Sequence, residues 1–137
     1  MKKILIFLFF IPYLCNAYTL EEIMEMTPKE GLFYALEYYE IKEPYIVYSQ
    51  AILETGNFTS RLCVEHGNLF GIYDSINHRY KHFSHWIKSV EAYKRRIQNR
   101  YKEGEDYYRF LLRINYASDP NYISKLKRIS KELTEYD

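Results

Sequence analysis

Glu54 is the residue whose surroundings in the sequence point most directly to chemistry. It closes an apolar helical turn within residues 48–56 (YSQAILETG), directly before a glycine break. Burying a lone carboxylate is costly, so such a group raises its pKa and holds a proton. A carboxylic acid that stays protonated near neutral pH can protonate the leaving oxygen of a sugar. The sequence therefore predicts a small sugar-cleaving enzyme with Glu54 as its general acid.

The helices that must position this carboxyl group have well-marked starts. Thr19 and Thr27 each begin a capping box, and Pro28 follows the second threonine at a first helical position. Pro44 begins another helix, which is predicted to end near Gly56. The predicted general acid lies in the last turn of that helix.

The rest of the chain is predicted to be helical around one irregular segment. Residues 57–83 carry loop residues and no sustained helical period, which predicts a small lobe with a short hairpin. Ser84 is predicted to cap a long helix that ends near Tyr101. Two helices follow, one over residues 107–112 and one that Asp119 caps. The predicted fold is mainly α, a single helical domain with a small irregular or β-hairpin lobe.

Residues 1–17 have the pattern of an export signal. A Lys-Lys pair precedes a short apolar run, and Ala17 is a small residue suited to cleavage. The run is too short to span a bilayer, so no stable membrane insertion is expected after cleavage. Cys15 suggests a lipoprotein, but the residues before it match a lipobox poorly. We therefore expect a catalytic domain over residues 18–137 that is exported and periplasmic, secreted or associated with the cell wall.

Charge and cysteine content argue against several classes of function. The chain has 19 basic and 18 acidic side chains, so nucleic acid is not an expected partner. After signal removal Cys63 is the only cysteine, which excludes an intramolecular disulfide and favours a structural thiol. The spacing of His78, His82 and His85 is similar to a zinc pattern, but no nearby acid completes a ligand set. No metal or cofactor is expected, and the chain is expected to be a monomer.

Three blocks of sequence resemble the glucosaminidase domains of glycoside hydrolase family 73. They are QAILETG from Gln50, NLFGI from Asn68 and YASDPNY from Tyr116, with a short match around Tyr93 before the third. Three blocks in the right order are a specific signal, whereas any one alone is weak. The resemblance covers about residues 45–129. It implies a lysozyme-like fold and hydrolysis of the β-1,4 bond after N-acetylglucosamine in the glycan strands of peptidoglycan.

The chain departs from the family pattern at positions that concern mechanism. The Trp-Gly pair that often follows the glutamate block is an Asn-Phe pair here, and the usual paired asparagines are Gly67 and Asn68. Many members have a second glutamate in the irregular lobe. Between residues 67 and 90 this chain has no glutamate, and Asp74 is its only acid. The identity of the second catalytic group is therefore open.

Two routes can supply the second catalytic role. Asp74 can act as a base if it reaches across the cleft, although a loop aspartate is more often a turn former. Alternatively, the N-acetyl group of the substrate acts as an internal nucleophile. The resemblance places Tyr116 and Tyr122 at the cleft, with Tyr116 the stronger candidate for orienting the acetamido group or polarising a water. Core packing with a satisfied hydroxyl is the competing interpretation, above all for Tyr122.

Five residues of the lobe are predicted to bind the substrate beside the general acid. The amide of Asn68 can hold sugar hydroxyls, Phe70 can supply an apolar wall, and Gly71 permits close approach of the chain. Tyr73 and Tyr80 offer aromatic faces, which stack well on pyranose rings.

The sequence leaves open which glycosidic bond is cleaved and whether the protein cleaves the glycan or only binds it. A muramidase or lytic transglycosylase on the same fold would cut the other glycosidic bond. The missing glutamate also permits a glycan-binding or assembly factor that has lost catalysis. A basic helical face formed by Lys94, Arg95, Arg96 and Arg100 is interpreted as solvated, with a weak attraction to the acidic peptides of peptidoglycan as the alternative.

Overall fold

Capping boxes begin the first two helices, as the sequence predicts. The Thr19 hydroxyl accepts a hydrogen bond from the backbone N–H of Glu22, whose side chain accepts one from the Thr19 N–H, and α1 (Leu20–Glu25) follows. Thr27 forms the same pair of bonds with the acid three residues later, at the start of α2 (Pro28–Tyr38). Each box satisfies backbone donors that have no partner within the helix.

The computed structural model describes residues 18–135, so the predicted export signal in residues 1–17 lies outside the described residues. No helix in this part of the chain is long and apolar enough to cross a membrane. The mainly α architecture with a hairpin lobe confirms the predicted lysozyme-like helical domain. The other elements are, in chain order, α3 (Pro44–Thr55), α4 (Arg61–Val64), β1 (Tyr73–Asp74), β2 (Arg79–Tyr80), α5 (Trp86–Arg96), a 3-10 turn (Gln98–Arg100), α6 (Tyr107–Arg113) and α7 (Tyr122–Glu135).

Helix α3 runs through the core and ends where the sequence predicts. It packs against α2, α4 and α7, and its side chains Val47 and Ala51 are fully buried. Gly56 ends the helix in a left-handed conformation with φ of +56°, and its N–H donates to the carbonyl oxygen of Ile52. Because α3 is enclosed by neighbouring helices, the side chains of its last turn are held in place.

Strands β1 and β2 form the predicted hairpin. They pair antiparallel, with Tyr73 opposite Tyr80 and Asp74 opposite Arg79. In the turn between them, Oδ1 of Asp74 accepts hydrogen bonds from the backbone N–H groups two and three residues later. Successive side chains of a strand point to opposite faces, so Tyr73 and Asp74 face different sides of the lobe.

Several boundaries differ from the predictions. His85, not Ser84, caps α5, because Nδ1 of His85 accepts the hydrogen bond from the N–H of Ile87. The α-helix ends at Arg96 rather than near Tyr101, since the chain then tightens into the 3-10 turn. The irregular segment also contains α4, a single helical turn too short to give a periodic signal in the sequence.

Candidate active site

A groove of about 790 Å³ lies beside the C-terminal end of α3. Its walls come from α3, the hairpin, the end of α5 with the 3-10 turn, and the segment between α6 and α7. Small-molecule sites commonly measure about 300–1,000 Å³, so the groove has the size of a ligand site. Seven of the nine site residues predicted from the sequence line it: Glu54, Phe70, Gly71, Tyr73, Tyr80, Tyr116 and Tyr122.

Glu54 is half-buried at the end of α3 and lines the groove. It follows Gln50 by four residues and Ala51 by three, and both of these are fully buried, so Glu54 lies at the edge of the buried face of the helix. Loss of hydration raises the pKa of its carboxyl group, and a hydrogen bond with the Tyr122 hydroxyl offsets part of that rise. The carboxyl group therefore holds its proton to a higher pH than a free glutamic acid does.

The backbone of Gly71 lies against the Glu54 carboxyl group. A Cβ atom at position 71 would lie 2.7 Å from Oε2 of Glu54, a separation that real Cβ atoms essentially never show. Gly71 also has a φ of +63°, in the left-handed region. The backbone conformation favours glycine here, and a Cβ atom would force the Glu54 carboxyl group or the loop to shift. The loop covers one side of the carboxyl group and contributes to its loss of hydration.

Tyr122 connects Glu54 to a line of hydrogen bonds through the core. Its hydroxyl accepts a 3.3 Å hydrogen bond from Nε2 of Gln50. Oε1 of Gln50 accepts a 2.5 Å bond from the Tyr93 hydroxyl, which lies 2.7 Å from the hydroxyl of Tyr107. Gln50 and Tyr93 are both fully buried. The line therefore starts at the groove and continues into the interior.

The direction of these bonds follows from the single proton of each hydroxyl. The Tyr93 hydroxyl donates its only proton to Oε1 of Gln50, so the Tyr107 hydroxyl must donate to Tyr93. The Tyr107 oxygen in turn accepts a 2.9 Å bond from Nε2 of Gln98. At the other end Gln50 donates to Tyr122, which leaves the Tyr122 proton for the carboxyl group. The donors therefore point toward the carboxyl group, an arrangement in which neighbouring bonds strengthen one another.

Tyr116 forms part of the groove wall and holds the neighbouring loop. Its hydroxyl donates a 2.6 Å hydrogen bond to the carbonyl oxygen of Phe70, and its ring stacks on that of Tyr122 with 5.7 Å between centroids. Burial raises the pKa of Tyr116 well above its ordinary value, so the group stays a neutral phenol. Because the hydroxyl donates its proton to the Phe70 carbonyl oxygen, it can act toward a ligand only as a hydrogen-bond acceptor.

Asp74 lies away from the groove, against the prediction that it reaches across the cleft. It lines a separate small pocket with Arg79 and His82 and is not among the residues that line the groove. Oδ1 accepts from the N–H groups of Ile76 and Asn77, and Oδ2 accepts from the Asn77 side chain. These bonds with Asn77 and Ile76 lower the pKa of Asp74 below its usual value. Asp74 is therefore placed as a turn former, and its predicted role as a base has no support in the geometry.

Asn68 is fully buried and does not line the groove, which corrects its predicted contact with sugar hydroxyls. Nδ2 donates to the carbonyl oxygens of Ile72 at 2.9 Å and Lys81 at 3.0 Å, and Oδ1 accepts from the Ile72 N–H at 3.0 Å. Three of the four hydrogen-bonding positions of the amide are thus used by the backbone. Asn68 ties together the two sides of the hairpin base.

Tyr73 and Tyr80 project beside the groove, at the place where sugar contacts were predicted. Their rings form an edge-to-face pair with 5.5 Å between centroids, and both side chains are about half exposed. An exposed aromatic pair at the rim of a groove offers apolar faces to a ligand.

No group of three or more histidine, cysteine, aspartate or glutamate side chains within residues 18–135 is arranged to hold a metal ion. His85 is engaged through both ring nitrogens, Nδ1 with the Ile87 N–H and Nε2 with the carbonyl oxygen of Met24. The His82 ring lies edge-on to the ring of His66, with 5.5 Å between centroids.

Sequence reasoning missed three residues of this site. Arg96 and Arg100 line the groove, whereas the sequence placed them only on a basic helical face, either solvated or weakly attracted to the acidic peptides of peptidoglycan. Gln50 orients Tyr122, and its spacing of four residues before Glu54 was the available signal, since side chains at that spacing share a helix face. The contact with Tyr122 itself joins residues 72 positions apart and leaves no local pattern.

The chain belongs to the glucosaminidase family, a family of glycoside hydrolases. The family model, described as mannosyl-glycoprotein endo-beta-N-acetylglucosaminidase, matches residues 33–135, which include every residue that lines the groove. This match confirms the resemblance inferred from the three sequence blocks. No curated protein and no solved structure matches the chain. Membership of the family supports an endo-β-N-acetylglucosaminidase activity in general terms.

Proposed function

We propose that this protein is an exported endo-β-N-acetylglucosaminidase with Glu54 as general acid. Its substrate is the glycan strand of peptidoglycan, and the bond cleaved is the β-1,4 bond after N-acetylglucosamine. The position of Glu54 carries the proposal. It is a half-buried carboxyl group with a raised pKa, facing a groove that can hold sugar rings, in a chain of the glucosaminidase family.

In the proposed reaction the strand lies in the groove with sugars against the rings of Tyr73 and Tyr80. Glu54 gives its proton to the glycosidic oxygen as the bond from C1 to that oxygen breaks, and the leaving sugar departs as an alcohol. Glu54 is then a carboxylate, which the hydrogen bond from Tyr122 stabilises. Burial favours the protonated form of the resting carboxyl group, and the tyrosine stabilises the charge that forms during bond cleavage.

The N-acetyl group of the substrate serves as the nucleophile in this proposal. Its oxygen attacks C1 as the leaving oxygen is protonated, which gives an oxazolinium ion that keeps its N–H. Water then attacks C1, the bond from C1 to the acetamido oxygen breaks, and the proton released by the water goes to the Glu54 carboxylate. The distribution of acids supports this route. Apart from Glu54, the only acid that lines the groove within residues 18–135 is Asp119, whose oxygens are engaged by Lys125 and the Asn121 N–H. The free lone pairs of Tyr116 can accept the acetamido N–H.

A muramidase or lytic transglycosylase is the second candidate, because Glu54, the groove acid without an ion-pair partner among the described residues, also suits cleavage of the other glycosidic bond. Mass spectrometry of the released fragments separates the outcomes. Reducing N-acetylglucosamine ends support the proposal, reducing N-acetylmuramic acid ends indicate a muramidase, and anhydro ends indicate a transglycosylase. Binding to purified cell walls without release of any fragment would indicate a glycan-binding factor.

Glu54→Gln tests the proposed general acid. The amide keeps the shape of the side chain and cannot donate the proton, so we expect cleavage to be lost while the fold is kept. Glu37→Gln is the matched control, since Glu37 is exposed on α2 and does not line the groove. Circular dichroism checks the fold, and fragment release from purified peptidoglycan measures activity. Retained activity in the first variant would remove Glu54 from the role.

Export is the remaining part of the proposal, and it rests on the sequence of residues 1–17. The mass of the protein recovered from outside the cytoplasm tests it. A mature chain that begins at Tyr18 is expected. A lipid-modified chain that begins at Cys15 would indicate a lipoprotein, and a full-length cytoplasmic chain would contradict export.

A further inference from the structure

Two arginines line the same groove as Glu54. Arg96 is the last residue of α5 and Arg100 the last residue of the 3-10 turn, and both side chains are exposed. They share the groove wall with the segment before α7, on which Tyr116 lies. Their neighbour Arg95 is equally exposed but does not line the groove.

The two guanidinium groups have no acidic partner within residues 18–135. The nearby cation Arg113 is paired with Glu105, and the groove acid Asp119 is paired with Lys125, so neither carboxylate is free. The remaining groove acid, Glu54, is held toward its neutral form by burial. Two arginine charges without an ion-pair partner among the described residues therefore lie on the groove wall. A cleft lined by positive charges attracts negatively charged ligands and raises their local concentration.

A basic last turn also stabilises a helix, because cations interact favourably with the C-terminal end of the helix dipole. That effect accounts for Lys94, Arg95 and Arg96 as a charged run on α5. It does not account for Arg100, which lies beyond the α-helix, or for two arginines that converge on one groove. A guanidinium group matches a carboxylate with two parallel hydrogen bonds, so this pair suits an anion of that shape.

Given the proposed function, the geometry points to a subsite in which Arg96 and Arg100 bind a carboxylate carried by the glycan strand. Peptidoglycan sugars bear such groups on the attached peptide or, where the peptide has been removed, on the lactyl ether, whereas a polymer of N-acetylglucosamine bears none. While Glu54 acts on the glycosidic bond, the arginines hold the acidic substituent farther along the groove. The subsite makes the enzyme selective for acidic strands over neutral ones.

Binding without cleavage is the first test. The probes are N-acetylmuramic acid, N-acetylmuramyl dipeptide and the same dipeptide with its free carboxylates amidated, and titration calorimetry measures each Kd. Arg96→Gln combined with Arg100→Gln is expected to weaken binding of the acidic dipeptide about tenfold and to leave the amidated dipeptide unchanged. Arg95→Gln is the matched control and should change neither. The lactyl carboxyl of the dipeptide is an amide, so an effect on the dipeptide assigns the peptide carboxylate. If N-acetylmuramic acid shows the same tenfold effect, the subsite also accepts the lactyl carboxylate of a sugar without peptide.

Kinetics on cell walls is the second test. For peptidoglycan with free carboxylates, the double variant is expected to have a KM about tenfold higher and a nearly unchanged kcat. For amidated peptidoglycan, its kcat/KM should stay close to that of the wild type. Higher salt should reduce the preference of the wild type for the acidic substrate, since exposed charges are screened within about 10 Å at 0.1 M. An equal fall in kcat/KM on both kinds of peptidoglycan would contradict the proposed subsite. An unchanged Kd for the acidic dipeptide in the double variant would contradict it as well. If the wild type binds the acidic dipeptide through these arginines but cleaves neither wall, the proposed function fails and the subsite stands.

Discussion

Replacing Gly71 with alanine tests whether the loop over Glu54 holds the general acid in place. The new Cβ atom would lie 2.7 Å from Oε2 of Glu54, so either the carboxyl group or the loop must move. The position also has a φ of +63°, which costs a residue with a side chain about 1–2 kcal/mol. Gly71→Ala therefore adds backbone strain and displaces the carboxyl group at once.

Gly104→Ala separates these two effects. Gly104 has a φ of +80°, and no atom lies within 4 Å of an added Cβ, so this variant carries the backbone strain alone. We expect each variant to lose at least about 1 kcal/mol of unfolding free energy and several degrees of Tm. Only Gly71→Ala is expected to lose activity, on the order of 100-fold, because a displacement of about 1 Å at a catalytic group has that effect.

Thermal unfolding followed by circular dichroism measures the stability of both variants. Release of reducing ends from purified peptidoglycan, well below both transitions, measures kcat/KM. Equal activity in wild type and Gly71→Ala would refute the claim that this contact positions Glu54. An equal fall in activity in both variants would refute the role of the contact as well, because it would trace the loss to backbone strain.

The carboxyl group of Glu54 and its line of hydrogen bonds allow three other tests. Burial raises the folded-state pKa of Glu54 above its unfolded value, so wild-type stability falls as pH rises through the folded pKa. Glu54→Gln should therefore raise Tm at neutral pH, and a gain that persists below the ordinary pKa of glutamic acid would contradict this cause. Tyr122→Phe removes a bond that lowers the same pKa, so the alkaline limb of kcat against pH should move to higher pH, and an unmoved limb would show that the hydroxyl does not act on Glu54. Gln50→Leu leaves the Tyr122 and Tyr93 hydroxyls without their buried partner and should cost about 1–3 kcal/mol in urea unfolding, whereas a neutral change would contradict the network.

The sequence by itself determines where the first three helices begin and where α3 ends. The capping boxes at Thr19 and Thr27, the proline at Pro44 and the left-handed Gly56 are all found where they were predicted. Each of these signals acts within one helical turn, because the donors, acceptors and φ preferences involved belong to neighbouring residues. The same local rule places Glu54 at the edge of the buried face of α3.

Only the tertiary structure decides which side chains meet Glu54. Gln50 bonds to Tyr122 across 72 positions and to Tyr93 across 43, so no window of the sequence contains the network. Asp74 has the chemistry of a catalytic base, but the hairpin turns it away from the groove. A strand of two residues is too short for its alternation to be read from sequence, and the face that each side chain takes depends on the exact pairing register.

The arginines illustrate the same division. The sequence determines that residues 94–96 form a basic helix end, since the helix period and the dipole act locally. Which of those cations reaches the groove depends on how the end of α5 and the 3-10 turn are packed beside the segment that precedes α7. That packing brings Arg96 and Arg100 into the groove wall and leaves Arg95 outside. Contacts between distant parts of the chain set this packing, so the local sequence does not reveal it.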